Sequence, residues 1–212
     1  MTRLAHLGHA CVLVETARTR ILVDPGTLSG GFESLRELDA VFVTHQHADH
    51  VDLARLPALM AANPRAVLVV DPGSAAASVA VGLAVQVLEV GSRVVVQDVA
   101  VDAVGGRHEL VHADVPLVGN NALVFDGGAF YHPGDSYFVP DQSVDVLGAP
   151  CSGPWVKVGE AVDFVRAVAP RVAVPIHEAA LADTSLHYGM LHRLCPPVTS
   201  FRPLPRRQIV EV

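Results

Sequence analysis

The stretch Thr44-His45-Gln46-His47-Ala48-Asp49-His50 places four metal-ligating side chains within six residues. It follows directly on the apolar run Ala40-Val41-Phe42-Val43 and reads as a strand ending in His-x-His-x-Asp-His. In extended backbone alternate residues share a face, so His45 and His47 can address one cation. Asp49 and His50 enter the next turn and can reach a second. Imidazole combined with carboxylate suits zinc, manganese or iron. A polar loop with spare histidines would account for the residue types but not for their placement at a strand end.

A site for two cations needs more than four ligands, and rigid strand ends are where the others should sit. His108 follows the segment ending Val104-Gly105-Gly106-Arg107. Asp135 lies just past Tyr131-His132-Pro133-Gly134, and His177 follows Val172-Ala173-Val174-Pro175-Ile176. His-Glu-x-x-His is excluded as an alternative, because the fifth residue after His177-Glu178 is Leu181. Cys151-Ser152-Gly153 could suggest a nucleophile, yet no base is paired with it in sequence, and the reading preferred for that region is a flap. Trp155, the only tryptophan, and Tyr188 are candidates for the wall of a substrate pocket. Packing of the loop and of the last helix accounts for them equally well.

The elements that must aim these side chains are legible from the Val, Ile and Leu runs bounded by Gly, Pro and Asp. Strands are expected over Leu4–Leu7, Cys11–Glu15, Arg20–Val23, Ala40–Val43, Val67–Val70, Arg93–Val96, Val99–Val104, Ala122–Phe125, Ala129–Tyr131 and Val172–Pro175. Thr199–Phe201 and Gln208–Val212 read as closing strands. Helices are expected over Phe32–Leu38, Val51–Ala62, Ala75–Leu83 with Ser74 as its cap, Val158–Val168 and Asp183–Leu194. Val139 to Pro154 reads mostly as loop. The fold class is α/β, with two sheets face to face and helices outside. The 212 residues suit one domain over 1–212, and the 50% hydrophobic content is ample for its core.

Composition excludes several function classes. Net charge is −7 and no Lys/Arg cluster offers a nucleic-acid footprint. The cysteines, Cys11, Cys151 and Cys195, form no C-x-x-C and no disulfide framework. The longest apolar stretch, Ala75 to Leu88, is broken by Ser78, Gly82 and Gln86 and falls short of the ~20 residues of a membrane span. With no signal-peptide pattern in Met1–Ala10, a cytoplasmic protein is expected. Its partner is expected to be a small-molecule substrate, with neither nucleic acid nor membrane, and the oligomeric state is open, a homo-oligomer included.

Taken in order, these residues resemble the metallo-β-lactamase fold hydrolase superfamily. The resemblance runs from about residue 4 to 180 and covers a strand-end Asp24, the run His45, His47, Asp49 and His50, then His108, Asp135 and His177. It implies a four-layer αββα sandwich of two mixed sheets. It implies His45, His47 and His108 on one cation, Asp49, His50 and His177 on the other, and Asp135 bridging both. Asp24 would hold the metal loop by hydrogen bonds from outside the ligand set, and His9 is the best candidate for a similar role. Gly8-His9-Ala10 with Leu22-Val23-Asp24-Pro25 is similar to the branch of lactonase-like and N-acylphosphatidylethanolamine phospholipase D-like proteins.

The activity implied is metal-dependent hydrolysis of a small ester, lactone or phosphodiester. The expected cofactors are two divalent ions, zinc first, with manganese or iron as alternatives. A hydroxide shared by the two ions would be the nucleophile. Asp135 would balance charge between them, Asp49 would orient the hydroxide, and His132 is a candidate proton source for the leaving group. The competing class is an iron-dependent redox enzyme of the same fold, acting on oxygen, nitric oxide or persulfides. A nucleic-acid hydrolase would need a clamp domain or basic arm, and a non-catalytic binder would have lost ligands.

Overall fold

The computed structural model describes residues 2–212, in which every strand belongs to one of two seven-stranded sheets. The first sheet holds β1 (Arg3–Gly8), β2 (Cys11–Glu15), β3 (Arg20–Val23), β4 (Ala40–Val43), β5 (Val67–Val70) and β6 (Gln86–Val87), with the last strand, β14 (Val210–Glu211), added beside β1. The second holds β7 (Arg93–Val96), β8 (Val99–Gly105), β9 (Asn121–Phe125), β10 (Phe130–His132), β11 (Val146–Pro150), β12 (Val172–Ile176) and β13 (Ser200–Phe201). Both sheets are mixed. β1, β2 and β3 are antiparallel and β3 to β6 parallel, whereas β7 to β10 are antiparallel and β10 to β13 parallel.

The central strands of each sheet are buried on both faces, as strands covered on both sides must be. One core lies between the sheets and joins Val12, Ile21 and Phe42 to Leu123, Phe125 and Val174. Phe42 and Phe125 meet edge-on across it, centroids 6.2 Å apart, a geometry that adds about 0.5–1.5 kcal/mol to area burial. A second core sits under α1 (Leu56–Ala62) and α2 (Pro72–Ala80) on the first sheet, a third under α3 (Val158–Val168) and α4 (Ser185–Leu194) on the second. The result is the layered αββα sandwich that the sequence implies.

The differences from expectation have local causes. Phe32–Leu38 forms only a 3-10 turn at Phe32–Ser34. α1 begins at Leu56, not Val51, because Pro57 is tolerated only in a helix's first turn and Asp52 Oδ1 ties up the amides of Ala54 and Arg55 just before it. α2 begins at Pro72 and is capped by Asp71, whose carboxylate accepts from the Gly73 and Ser74 amides, so Ser74 is inside the helix. The stretch Val139–Pro154, expected mostly as loop, contains β11, a fully buried strand between β10 and β12, and residues 151–155 follow it outside any strand or helix. No helix among the described residues is long and apolar enough to cross a membrane.

Candidate metal centre

All the chemistry-bearing side chains leave the C-terminal ends of strands on one rim of the sandwich. Asp24 ends β3, and His45 to His50 follow β4. His108 follows β8, Asp135 follows β10 and His177 ends β12. The rim is tied together across the sheets by the Asn121 amide at the start of β9, which donates to Thr44 O at 2.8 Å. Gly26, past Asp24, lets the metal loop come close. A Cβ there would stand 1.8 Å from Asp49 O and 2.5 Å from His50 N.

The seven expected ligands converge in two groups. His45, His47, His108 and Asp135 each offer an atom within 4.8 Å of the others, and so do His9, Asp49, His50 and His177. Asp135 stands between the groups. Its Oδ2 is 3.1 Å from His108 Nε2 and 3.8 Å from His45 Nε2, while its Oδ1 is 3.0 Å from His50 Nε2 and 3.1 Å from His177 Nε2. One carboxylate therefore presents an oxygen to each group.

These residues fit a pair of cations. His50 Nε2, His177 Nε2 and Asp135 Oδ1 are buried and face one another, yet none is aligned for a hydrogen bond. Buried polar atoms ordinarily have partners, and atoms that all point at a common centre are satisfied by an ion held there. The tautomers agree. His50 Nδ1 donates to Asp24 Oδ2 at 2.7 Å and His108 Nδ1 to Glu109 O at 2.6 Å, which leaves each Nε2 lone pair directed inward.

The electrostatics also favour positive charge. Burial opposes a proton on His50, but the Asp135 and Asp24 carboxylates outweigh it and hold the imidazole well above its usual range. His177 is likewise buried, and Asp135 and Asp49 lift it to about 9. Burial would raise the Asp135 carboxyl, yet His50 and His177 keep it well below the usual carboxylate range. His45, by contrast, is lowered by burial and by its neighbour His50. A pocket whose carboxylates draw protons onto two imidazoles is one that will accept cations in their place.

A model of the β-lactamase superfamily domain matches residues 3–177, the span that carries every one of these ligands. The chain belongs to the metallo-β-lactamase superfamily. Protein Rv0786c of Mycobacterium tuberculosis is 44% identical over 214 residues, covering 98% of this chain and 99% of that one. A UPF0173 metal-dependent hydrolase of Aeropyrum pernix is 26% identical over 206 residues, covering 84% and 82%. Igni18, described as a novel metallo hydrolase from Ignicoccus hospitalis, superposes with a TM-score of 0.76 at 19% identity over 99% of this chain and 97% of that one. This last likeness shows the fold alone.

Around the superfamily ligands the other candidate residues fall into place unevenly. Asp24 is fully buried and accepts from Thr44 N, Thr44 Oγ1 and His50 Nδ1 at 2.8, 2.7 and 2.7 Å. His9 Nε2 lies 3.0 Å from Asp49 Oδ2, and its Nδ1 accepts from the Ala179 amide at 3.3 Å. Trp155 is buried, and its indole N–H donates to Asp135 Oδ2 at 2.9 Å. It is thus a partner of the Asp135 carboxylate more than a pocket wall. Tyr188 lies on α4. α4 packs on the outer face of the second sheet, and the ring lies against Phe201 at 5.6 Å.

His132 is also not the proton source that its place beside Pro133-Gly134-Asp135 suggests. It is fully buried, its Nε2 donates to Ala10 O at 2.8 Å, and its Nδ1 accepts from Gly134 N at 3.2 Å. Both nitrogens are committed to backbone. Cys151 is equally inert as a nucleophile. Burial, with Glu178 nearby, pushes its thiol up to about 12, and its S–H is directed at Ile176 O.

Four residues at the site are not singled out by the sequence: Thr44, His6, Glu178 and Arg206. Thr44 is signalled only by its adjacency to His45. The others come together solely in three dimensions. Three site residues, His9, Asp24 and His177, hold left-handed backbone with φ of 52°, 48° and 63°, which costs of order 1–3 kcal/mol each for non-glycine residues and is typical of functional sites.

Proposed function

We propose that the protein is a metal-dependent hydrolase that uses two divalent cations to cleave a small ester, lactone or phosphodiester. The observation that carries this reading is Asp135, one carboxylate with an oxygen turned to each of two histidine-rich groups. The Aeropyrum pernix relative, a UPF0173 metal-dependent hydrolase by name, supports it. His45, His47 and His108 would hold one ion and Asp49, His50 and His177 the other, with Asp135 between. Zinc is the first expectation, since three imidazoles with a carboxylate suit it. Cations so placed polarise the electrophilic oxygen and bring the pKa of a bound water to about 7, so no protein nucleophile is required.

The remaining work falls to the chain's own residues. Trp155 N–H fixes the Asp135 carboxylate from the first group's side. Asp49 is the candidate ligand carboxylate with solvent exposure, its side chain 28% accessible, and its role would be to orient an incoming water. Burial would raise its carboxyl, but His177 and His9 hold it well below the usual carboxylate range, so it stays ionised. A hollow of about 320 Å³ beside His108, lined by Arg107, Glu109, Leu110 and Leu117, suits a small substrate with an apolar part.

Metal analysis of the purified protein, with hydrolysis assays on bis-p-nitrophenyl phosphate and a panel of small lactones, tests the proposal. Two ions per chain and an activity abolished in His45→Ala are expected. A single iron per chain with visible colour, and no hydrolysis, would favour redox chemistry instead.

A further inference from the structure

His9 reaches the second cation group from a strained turn, and what holds that turn lies outside the ligand set. Its backbone N–H donates to Glu178 Oε1 at 3.0 Å. Its carbonyl accepts from His6 Nε2 at 2.8 Å and from His177 N at 2.9 Å. Both ends of the residue are therefore gripped while φ stands at 52°. The Ala179 amide occupies its Nδ1, so the ring proton is on Nε2 and points at Asp49 Oδ2, 3.0 Å away. In that tautomer His9 does not ligate. It steers Asp49.

Glu178 is nearly fully buried, with His6 Nε2 3.4 Å from its Oε2. A buried carboxylate needs a counter-charge, and Arg206 supplies it by a direct ion pair to Oε1. Arg206 comes from the C-terminal arm, which runs beside β1. His6 bridges to Arg206, and the Arg207 amide donates to His6 O at 2.9 Å. Glu178 and Arg206 both lie beyond residues 3–177, where the superfamily domain matches. The first group has its own, separate partners, Thr44 Oγ1 at 3.1 Å from His45 Nδ1, Glu109 O on His108 Nδ1 and Trp155 N–H on Asp135, none of which involves Glu178 or Arg206.

We infer that Glu178, neutralised by Arg206, is a positioning residue for the second cation site alone: it locks the His9 backbone so that the His9 ring Nε2–H fixes Asp49 opposite His50 and His177. The inference rests on the two-ion reading above. Removing a group that orients a ligand typically costs 10–100-fold in metal affinity, and here the loss should fall on one ion only.

The test is calorimetric titration of Zn²⁺ into chelator-stripped protein, with thermal melts alongside, for wild type, Glu178→Gln, Arg206→Ala and Arg206→Lys. Arg206 is half-exposed, so its variants report even if the buried Glu178 change prevents folding. Two binding steps are expected in wild type. In Arg206→Ala one of the two steps should weaken by about 10-fold or more with the other unchanged, and Arg206→Lys should restore most of it. General loosening would lower the melting temperature and weaken both steps together, and that result, or two unaltered steps, overturns the inference. A wild-type protein that takes up a single ion overturns the two-ion reading and this inference with it.

Discussion

Asp24→Asn is the most informative single change, because the two residues have one shape and differ in what they can accept. Asp24 accepts three buried hydrogen bonds, from Thr44 N, Thr44 Oγ1 and His50 Nδ1, at 2.7–2.8 Å. Asparagine has one acceptor oxygen and an NH₂ that can only donate. If its oxygen keeps Thr44 N, the NH₂ faces the Thr44 hydroxyl, which can turn to accept, and His50 Nδ1, which cannot accept while protonated. His50 must then lose its partner or move its proton to Nε2, the atom 3.0 Å from Asp135 Oδ1. Either outcome damages a ligand of the second group. The loss of one charge-assisted hydrogen bond corresponds to roughly 1.5–3 kcal/mol of stability in the metal-free protein. Loss of ligand orientation corresponds to about 10–100-fold in affinity for that ion, or about 1.4–2.8 kcal/mol. Competition between the stripped protein and a fluorescent zinc chelator measures the affinity, and urea unfolding measures the stability. An Asp24→Asn protein that binds both ions like wild type would refute the assignment of Asp24 as the residue that sets the His50 tautomer.

Three further outcomes are expected. Gly26→Ala should destabilise the fold by at least about 1–3 kcal/mol through overpacking and lower the metal content, since its Cβ would meet Asp49 O at 1.8 Å; urea midpoints and metal analysis on one preparation check both. Cation binding to the stripped protein should release protons, because Asp135 and Asp49 lift His177 to about 9 against its burial. The apparent affinity should therefore rise with pH from neutrality through about 9, with His50, also held well above its usual range against burial by Asp135 and Asp24, adding to the rise; titrations in buffers of differing ionisation enthalpy count the protons, a pH-independent affinity being the contrary result. His132→Gln should cost stability, of order 1–3 kcal/mol for the buried backbone groups it leaves, while kcat of the loaded enzyme stays within a few-fold. A 100-fold fall in kcat with the fold intact would return His132 to the chemistry.

The candidate ligand set was legible because it is carried by rare side chains at strand ends, and strand ends follow from apolar runs. What stayed hidden was set by packing. β11 contains Gly148 and ends at Pro150, so it reads as loop. In the fold, Gly148 is what lets the strand lie against Ile176, whose Cδ1 would be 3.3 Å from a Cβ there. His132 misleads because nearness to Asp135 along the chain says nothing of direction, and its ring is turned to Ala10 O. The grip of His6, Glu178 and Arg206 on His9 joins positions 6, 9, 178 and 206. No periodicity links such distant positions, and the left-handed turn it maintains has no glycine to announce it.

The left-handed residues at His9, Asp24 and His177 have a consequence for anyone who would engineer this scaffold. A conformational audit would nominate all three for replacement by glycine, which occupies that region freely. Each replacement would relax the main chain and delete an imidazole or carboxylate from the rim. Thermostabilisation should therefore be sought far from these corners, on the helix-covered outer faces, because here ease of backbone and usefulness of side chain pull in opposite directions.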